Sequence, residues 1–333
     1  MKARERVTLK KLAEILGLDV SSVSLALRDS PKISAATKRR IHELAGQYRY
    51  SPNMAARQLR CTTPRLVGLV LPATMISLAD PMAGKTIQLL AEQCTAKGIM
   101  FQILSAANLD DSPKEPAVSS LLPEALFIWG DVPRQIVDAR ILQKRPVIVL
   151  DPNHLSYSGY SGRCVMMDNF AGGVTVARHF LGEKALRLLL VQFDGNHLGH
   201  KARLDGASQE WLGHRPADSL HYKMLSQIDD KDLVKFARKE GCTIFCSNDW
   251  CALQVWHRLV RLGVKMPDDV RLAGFDGIDA ALLAGITTII FDWQALANAA
   301  IKMMFQLISA PDDKKLLPVC ISIPVFLHKG RTT

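Results

Sequence analysis

The 333-residue sequence predicts a two-part fold. An all-α helix-turn-helix module with a hinge helix leads, and an α/β body of two doubly wound subdomains follows. Three observations predict it. Residues 1–65 hold 14 Lys and Arg against 5 Asp and Glu, whereas the other 268 hold 28 against 27, so nearly all of the net +10 sits in one-fifth of the chain. Apolar residues recur at helical spacing through that basic segment. Beyond it, short apolar runs alternate with amphipathic stretches.

From Thr8 the apolar residues Leu9, Leu12, Ala13 and Leu16 fall on one helical face, with Thr8 as its N-cap and Gly17 as its end. Asp19 caps a second short helix whose Val23 and Leu27 point inward. A third helix starts near Ser34 and buries Ile41, Leu44, Ala45 and Tyr48. Two short helices across a glycine turn, braced by a third, make a helix-turn-helix. A compact basic module on a near-neutral body implies a polyanion partner, most simply nucleic acid; the alternative is a solubilising basic face.

The second helix presents Val20, Ser21, Ser22, Ser24, Leu25 and Arg28 outward. Its small hydroxyls suit base edges or phosphates, and Val20 and Leu25 suit thymine methyls in a major groove. Packing against a neighbouring domain is the alternative for those two. "YSPNMAARQL" then predicts a hinge helix from Pro52, with Ala55, Ala56 and Leu59 on one face. It is too short to stand alone, so it orders against a twin copy or DNA. Ala56 lets two helices approach, which leaves Leu59 to wedge into a minor groove.

The body's strand-like runs are "RLVGLVLP", "IMFQILSA", "ALFIWG", "PVIVLD", "CVMMD", "LRLLLVQ", "TIFCS", "VRLAGFD" and "TTIIF". They are too many for one comfortable sheet, which implies two subdomains, and ligands of such folds bind beyond the strands' carboxyl ends. Those ends carry Asp151, Asn248, Asp249, Asp276 and Trp293, and Arg203 follows the strand ending near Gln192. Carboxylates, an amide and a guanidinium suit a hydroxyl-rich ligand, and an indole suits a sugar ring. For any single Asp the alternative is a helix cap, notably Asp249 and Asp292.

Composition narrows the class. Hydrophobic residues make up 48% and charged residues 22%, ordinary for a globular chain, and no apolar run approaches the roughly 18 residues needed to span a membrane. The basic start has no continuous apolar core or small-residue cleavage site, so no signal peptide is expected and the compartment is cytoplasmic. Seven cysteines include no CxxC, and the spacing of Cys242, Cys246 and Cys251 fits no zinc pattern. Buried free thiols in a reducing compartment are expected, with no metal and no cofactor. Glycine-rich phosphate loops and the nucleophile elbow are absent, which argues against an enzyme.

"VTLKKLAEILGLDVSSVSLAL…KISAATKRRI…YSPNMAARQL" resembles the start of the lactose/galactose repressor (LacI/GalR) family of transcription factors, through residues 7–72. "VMMDNFAGGVTVARHF", "ARLDG", "CSNDWCAL", "VRLAGFDG" and "ITTI" extend the resemblance to the family's effector domain, which is similar to periplasmic sugar-binding proteins. The resemblance implies a headpiece at 1–50, a hinge helix and linker at 51–64, and an effector-binding and dimerisation domain at 65–333. Within it, the N-subdomain takes about 65–163 plus 294–323 and the C-subdomain about 164–291 plus 324–331. By position Asp19, Val20, Ser21 and Leu25 belong to the base-reading helix. Ser22, Arg28, Ser34, Thr37 and Asn53 fall near the DNA backbone, and Ala56 and Leu59 in the hinge. Asp151, Arg203, Asn248, Asp276 and Trp293 fall at effector contacts. Leu25 stands where several members carry Arg or another polar group, and Gly277 where many carry a second Asp.

The resemblance implies an effector-responsive regulator, most simply a repressor of a carbohydrate-utilisation operon. Its expected partners are near-palindromic double-stranded DNA, a sugar or sugar derivative, and a second copy of the chain. The alternatives are a corepressor-type regulator sensing a nucleobase and a small-molecule-binding protein with a basic tether. No leucine-rich heptad tail follows "FLHKGRTT", so a dimer is expected rather than a tetramer.

Overall fold

A computed structural model of the chain describes residues 9–27, 32–48, 66–72, 81–109, 123–130, 132–137, 145–152, 162–193, 195, 197–309 and 319–333. It forms two units, one on each side of Cys61 and Thr62.

The first unit contains α1 (Leu9–Leu16), α2 (Val20–Ala26) and α3 (Ala35–Gln47). Their apolar faces close on Leu12, Ala13, Leu16, Val23, Ala26, Ile41 and Ala45, with Leu27 and Leu44 half-buried at the edge. Gly17 adopts φ +63° in the turn, a conformation that glycine takes without steric cost. Two local expectations change. Asp19 occupies the N-cap of α2 with an extended backbone, but its side chain accepts no capping hydrogen bond. Tyr48, expected inside, is 47% exposed because it follows the last turn of α3 and rotates off the apolar face.

The second unit holds two six-stranded sheets. The first contains β1 (Leu66–Leu71), β2 (Met100–Ser105), β3 (Ala125–Trp129), β4 (Val147–Leu150), β5 (Cys164–Met167) and β11 (Cys320–Ile323), in the order β11-β5-β4-β3-β1-β2. The second contains β6 (Arg187–Gln192), β7 (Leu220–Met224), β8 (Cys242–Cys246), β9 (Arg271–Asp276), β10 (Thr287–Phe291) and β12 (Val325–His328), in the order β12-β10-β9-β8-β6-β7. Every pairing is parallel except β10 with β12. The central strands β3 and β8 are buried at every residue, as continuous apolar runs in a parallel sheet must be.

The helices between strands are α4 (Pro81–Ala96), α5 (Arg134–Val137), α6 (Asn169–Gly182), α7 (Leu198–Leu212), α8 (Asp230–Ala237), α9 (Asp249–Arg261), α10 (Asp279–Ala284) and α11 (Trp293–Ser309). The chain crosses between the sheets three times, after β5, between β10 and α11, and between β11 and β12. Asp168 and Asp292 cap the helices after the first two crossings, accepting hydrogen bonds from Ala171 N at 3.0 Å and Ala295 N at 2.8 Å. Pro324 lies at the third.

Three sequence expectations are corrected. The strand Cys164–Met167, placed in the C-subdomain by the boundary at 164, pairs with β4 and β11 in the first sheet. The first crossing therefore falls at Asp168, since a strand's sheet is decided by its neighbours rather than by its own composition. Strands β7, β11 and β12 were absent from the sequence reading, and all three lie at sheet edges where half-exposed residues blur the apolar pattern. Cys164 and Cys320, expected as separate thiols, are register partners on β5 and β11 and are joined as a disulfide with Cα atoms 4.6 Å apart. Cys94, Cys242, Cys246 and Cys251 are buried free thiols.

Candidate functional site

The carboxyl ends of both sheets open onto one cavity of about 210 Å³. Met82, Trp129 and Asp151 come from the first half, and His197, His200, Arg203, Asn248, Trp250, Asp276 and Ile278 from the second. Four of the five expected effector residues, Asp151, Arg203, Asn248 and Asp276, therefore meet. Trp293 does not line this cavity. It starts α11 and packs edge-on against Phe291 with ring centroids 5.0 Å apart, in a separate pocket with Lys85, Leu89 and Phe326.

Arg203 lies on α7 with 2% of its side chain exposed. Its Nε donates to Asn169 Oδ1 at 2.7 Å, and Nη1 donates to Ser247 O at 2.8 Å. Its guanidinium stacks over Phe275 at 4.0 Å, and Phe291 is 5.8 Å away. Nη1 also lies 2.8 Å from Asp276 Oδ1, yet Oδ1 accepts no hydrogen bond among the described residues.

Two backbones here are strained. Asp151 has φ +51° and Asp276 φ +115°, conformations that L-residues hold only where the surroundings impose them. Asp151 Oδ1 accepts from Met167 N at 3.3 Å, which fixes the end of β4 against β5. Asn248 caps α9 by accepting from Cys251 N at 2.8 Å. Asp249, one candidate for that cap, instead accepts from Thr288 Oγ1 at 2.6 Å and Ile278 N at 2.9 Å, fully buried behind the cavity.

Burial dominates the electrostatics. It pushes the Asp276 carboxyl up to about 7 against the opposing pull of Arg203, with Asp249 and Asp151 adding to the rise. Burial likewise raises Asp249 to about 6. It lowers His200 to about 2, helped by the charges of Arg203 and His197, so that imidazole is neutral at pH 7. His200 Nδ1 is buried and has no hydrogen-bond partner among the described residues. Two polar atoms without such partners, His200 Nδ1 and Asp276 Oδ1, thus belong to residues of one cavity.

Sequence reading missed Met82, Trp129, His197, His200, Trp250 and Ile278. Trp129 ends an all-apolar strand and reads as core. His197 and His200 follow β6 at a strand end, the same signal that identified Arg203.

On the first unit, Val20 is 43% exposed, Ser21 is exposed, and Ser22 and Leu25 are half-buried on α2. Ser34 caps α3 through Thr37 N at 3.2 Å, and the two hydroxyls meet at 2.8 Å. Arg28, Asn53, Ala56 and Leu59 lie outside the described residues.

The two halves and the cleft between them define a periplasmic-binding-protein-like body, and residues 177–333 match the family model of that description. DegA, a helix-turn-helix transcriptional regulator of Bacillus subtilis (strain 168), is 24% identical over 85% of this chain and 86% of its own. The repressor PurR of Aliivibrio fischeri (strain ATCC 700601 / ES114) is 20% identical over 92% and 94%. Among solved structures, the lac repressor dimer bound to operator and the anti-inducer ONPF superposes with a TM-score of 0.71 at 16% identity, covering 99% of each chain. The CelR–cellobiose complex gives 0.63 at 16%, covering 98% of this chain and 100% of the other. A ribose-bound regulator from Enterococcus faecalis V583 gives 0.61 at 18%, covering 80% and 98%. Along most of its length the chain is thus similar to helix-turn-helix transcriptional regulators, and it shares the fold of the lac repressor.

Proposed function

We propose that the protein is a sequence-specific DNA-binding repressor of a carbohydrate-utilisation operon, acting as a cytoplasmic homodimer and released or engaged by a small sugar. The observation that carries the effector half is the pair of buried polar atoms His200 Nδ1 and Asp276 Oδ1 at one cavity, the first without a hydrogen-bond partner among the described residues and the second in ion-pair contact with Arg203 at 2.8 Å. Sugar hydroxyls donate and accept, so they suit both atoms.

The same site argues for a neutral ligand. Arg203, the one Lys or Arg among the described lining residues, is already committed to Asn169, Ser247 and Asp276, and Asp151 adds a further carboxyl, so a phosphate or carboxylate finds no uncommitted cation there. The cavity's 210 Å³ is below the roughly 300–1,000 Å³ of sites for drug-sized ligands, which favours a monosaccharide over a disaccharide. Cellobiose and ribose in the related structures make sugar the class to screen first. Nucleobase sensing is the second reading, motivated by the PurR relatives.

On DNA, Val20, Ser21 and Leu25 read base edges at the exposed face of α2, behind Asp19 at its start. Ser22, Arg28, Ser34, Thr37 and Asn53 contact phosphates, and Ala56 and Leu59 act in the hinge. In this reading residues 1–50, 51–64 and 65–333 are the headpiece, hinge and effector domain. A sugar that favours one arrangement of the two halves shifts DNA affinity only by its differential affinity for the two states.

Selection of bound fragments from genomic DNA tests the DNA half. An inverted repeat with half-sites about one helical turn apart is expected, and recovery of asymmetric or random sequence contradicts it. Leu59→Ala then weakens operator binding without changing sugar binding. A thermal-shift screen of sugars, sugar phosphates and nucleobases tests the other half, because a specific ligand raises stability by mass action.

A further inference from the structure

We propose that Trp250, which lines the same cavity as Trp129, is the residue that selects which sugar ring the cleft accepts, in place of Trp293; this rests on the sugar-effector reading above. Trp129 is the last residue of β3 and is 5% exposed, a fixed wall contributed by the first half. Trp250 is the second residue of α9 in the other half and lines the same cavity, yet it is 50% exposed. Large aromatic surface left half in water at the rim of a polar cavity marks a place where a ligand completes the packing.

The turn that carries Trp250 is rigid. Asn248 caps it through Cys251 N, and Asp249 anchors it to Ile278 N and to Thr288 Oγ1. The indole is therefore presented by a fixed backbone. Met82 and Ile278 add apolar lining, while Asp276, Arg203 and His200 supply the polar groups. A sugar ring has the matching division, with hydroxyls for the polar groups and a C–H face for the indoles.

That division implies selectivity between epimers. A hydroxyl turned onto an indole face loses its water partner and gains none, whereas a C–H in the same place loses nothing. Trp293 has no such role, because its ring packs on Phe291 in another pocket and reaches the guanidinium only through that phenyl group.

The test uses the full chain. A thermal-shift panel of neutral pentoses and hexoses identifies the sugar that raises Tm, and titration calorimetry compares it with its epimers on four proteins. These are the unsubstituted chain, Trp250→Ala, Trp250→Phe and Trp293→Phe. Trp250→Ala should keep its Tm without sugar, weaken binding roughly ten- to hundredfold and flatten the epimer preference. Trp250→Phe should retain most of both, and Trp293→Phe should stay within about threefold of the unsubstituted chain. Unchanged affinity in Trp250→Ala, or an equal loss in Trp293→Phe, overturns the assignment while leaving the sugar reading intact. If no sugar in the panel raises Tm, the effector reading fails and this inference fails with it.

Discussion

Arg203 and Asp276 lie in charge contact at 2.8 Å, both buried, but the carboxylate oxygen in contact accepts no hydrogen bond among the described residues. The guanidinium is fixed instead by Asn169 Oδ1, Ser247 O and the Phe275 ring. Arg203 is thus part of the packing of the second half as well as of the cleft. An anchor for ligand alone would tolerate removal, and this side chain will not.

Arg203→Ala should lower stability by about 3–5 kcal/mol, the usual cost of removing one partner from a buried ion pair. The loss should be larger at pH 8 than at pH 6, because Asp276 can take up a proton when its partner is gone. Urea denaturation at the two pH values measures it. An unchanged midpoint would show that the arginine serves the ligand only.

Asp276 predicts a specific pH signature. Its folded pKa of about 7 lies above its ordinary value of 3.8, so the folded state holds the proton more tightly than the unfolded chain. Its contribution is fully present below about pH 4 and is lost as pH rises through 7. His200 acts in the opposite sense, because its folded pKa is depressed and its contribution is lost as pH falls through 6.5. Asp276→Asn isolates the carboxyl. Relative to the unsubstituted chain it should gain up to about 1.4 kcal/mol per pH unit between pH 4 and 7. A stability difference that does not vary with pH would refute the shift.

Gly173 sits where α6 meets α7, and a Cβ there would lie 1.8 Å from Arg203 O. Its neighbour Gly172 leaves room for the Phe275 ring, which a Cβ would meet at 2.5 Å. Backbone cannot yield as a flexible side chain does. Gly173→Ala should therefore cost about 3 kcal/mol or more, the upper end for overpacking. A soluble Gly173→Ala protein with an unchanged unfolding midpoint would count against this close approach.

The Cys164–Cys320 disulfide spans a separation of 156 residues and ties the edge strand β11 to β5. Cys320→Ser should lower Tm without reductant, reflecting about 3–5 kcal/mol for a long closed loop. With dithiothreitol the two proteins should melt together. Non-reducing peptide mapping that finds no 164–320 cross-link in the unsubstituted chain would remove the prediction.

The sequence by itself determined what depends on local spacing. Leu9, Leu12, Ala13 and Leu16 lie on one helical face whatever follows, and the apolar runs of the body declare themselves strands. Reading their carboxyl ends placed Asp151, Arg203, Asn248 and Asp276 together, because a parallel sheet brings those ends to one side. Tertiary structure decided the rest. An apolar tetrad such as Cys164–Met167 does not say which sheet it joins, and Trp129 at the end of "ALFIW" is indistinguishable from core. Trp293 turned away from the cleft because Phe291 holds its ring, a contact made only once β10 and α11 are in place. The pairing of Cys164 with Cys320 likewise needed the chain to cross to the second sheet and back before the two strands met. Periodicity reports which face of an element is apolar; which element covers that face is set by long-range packing.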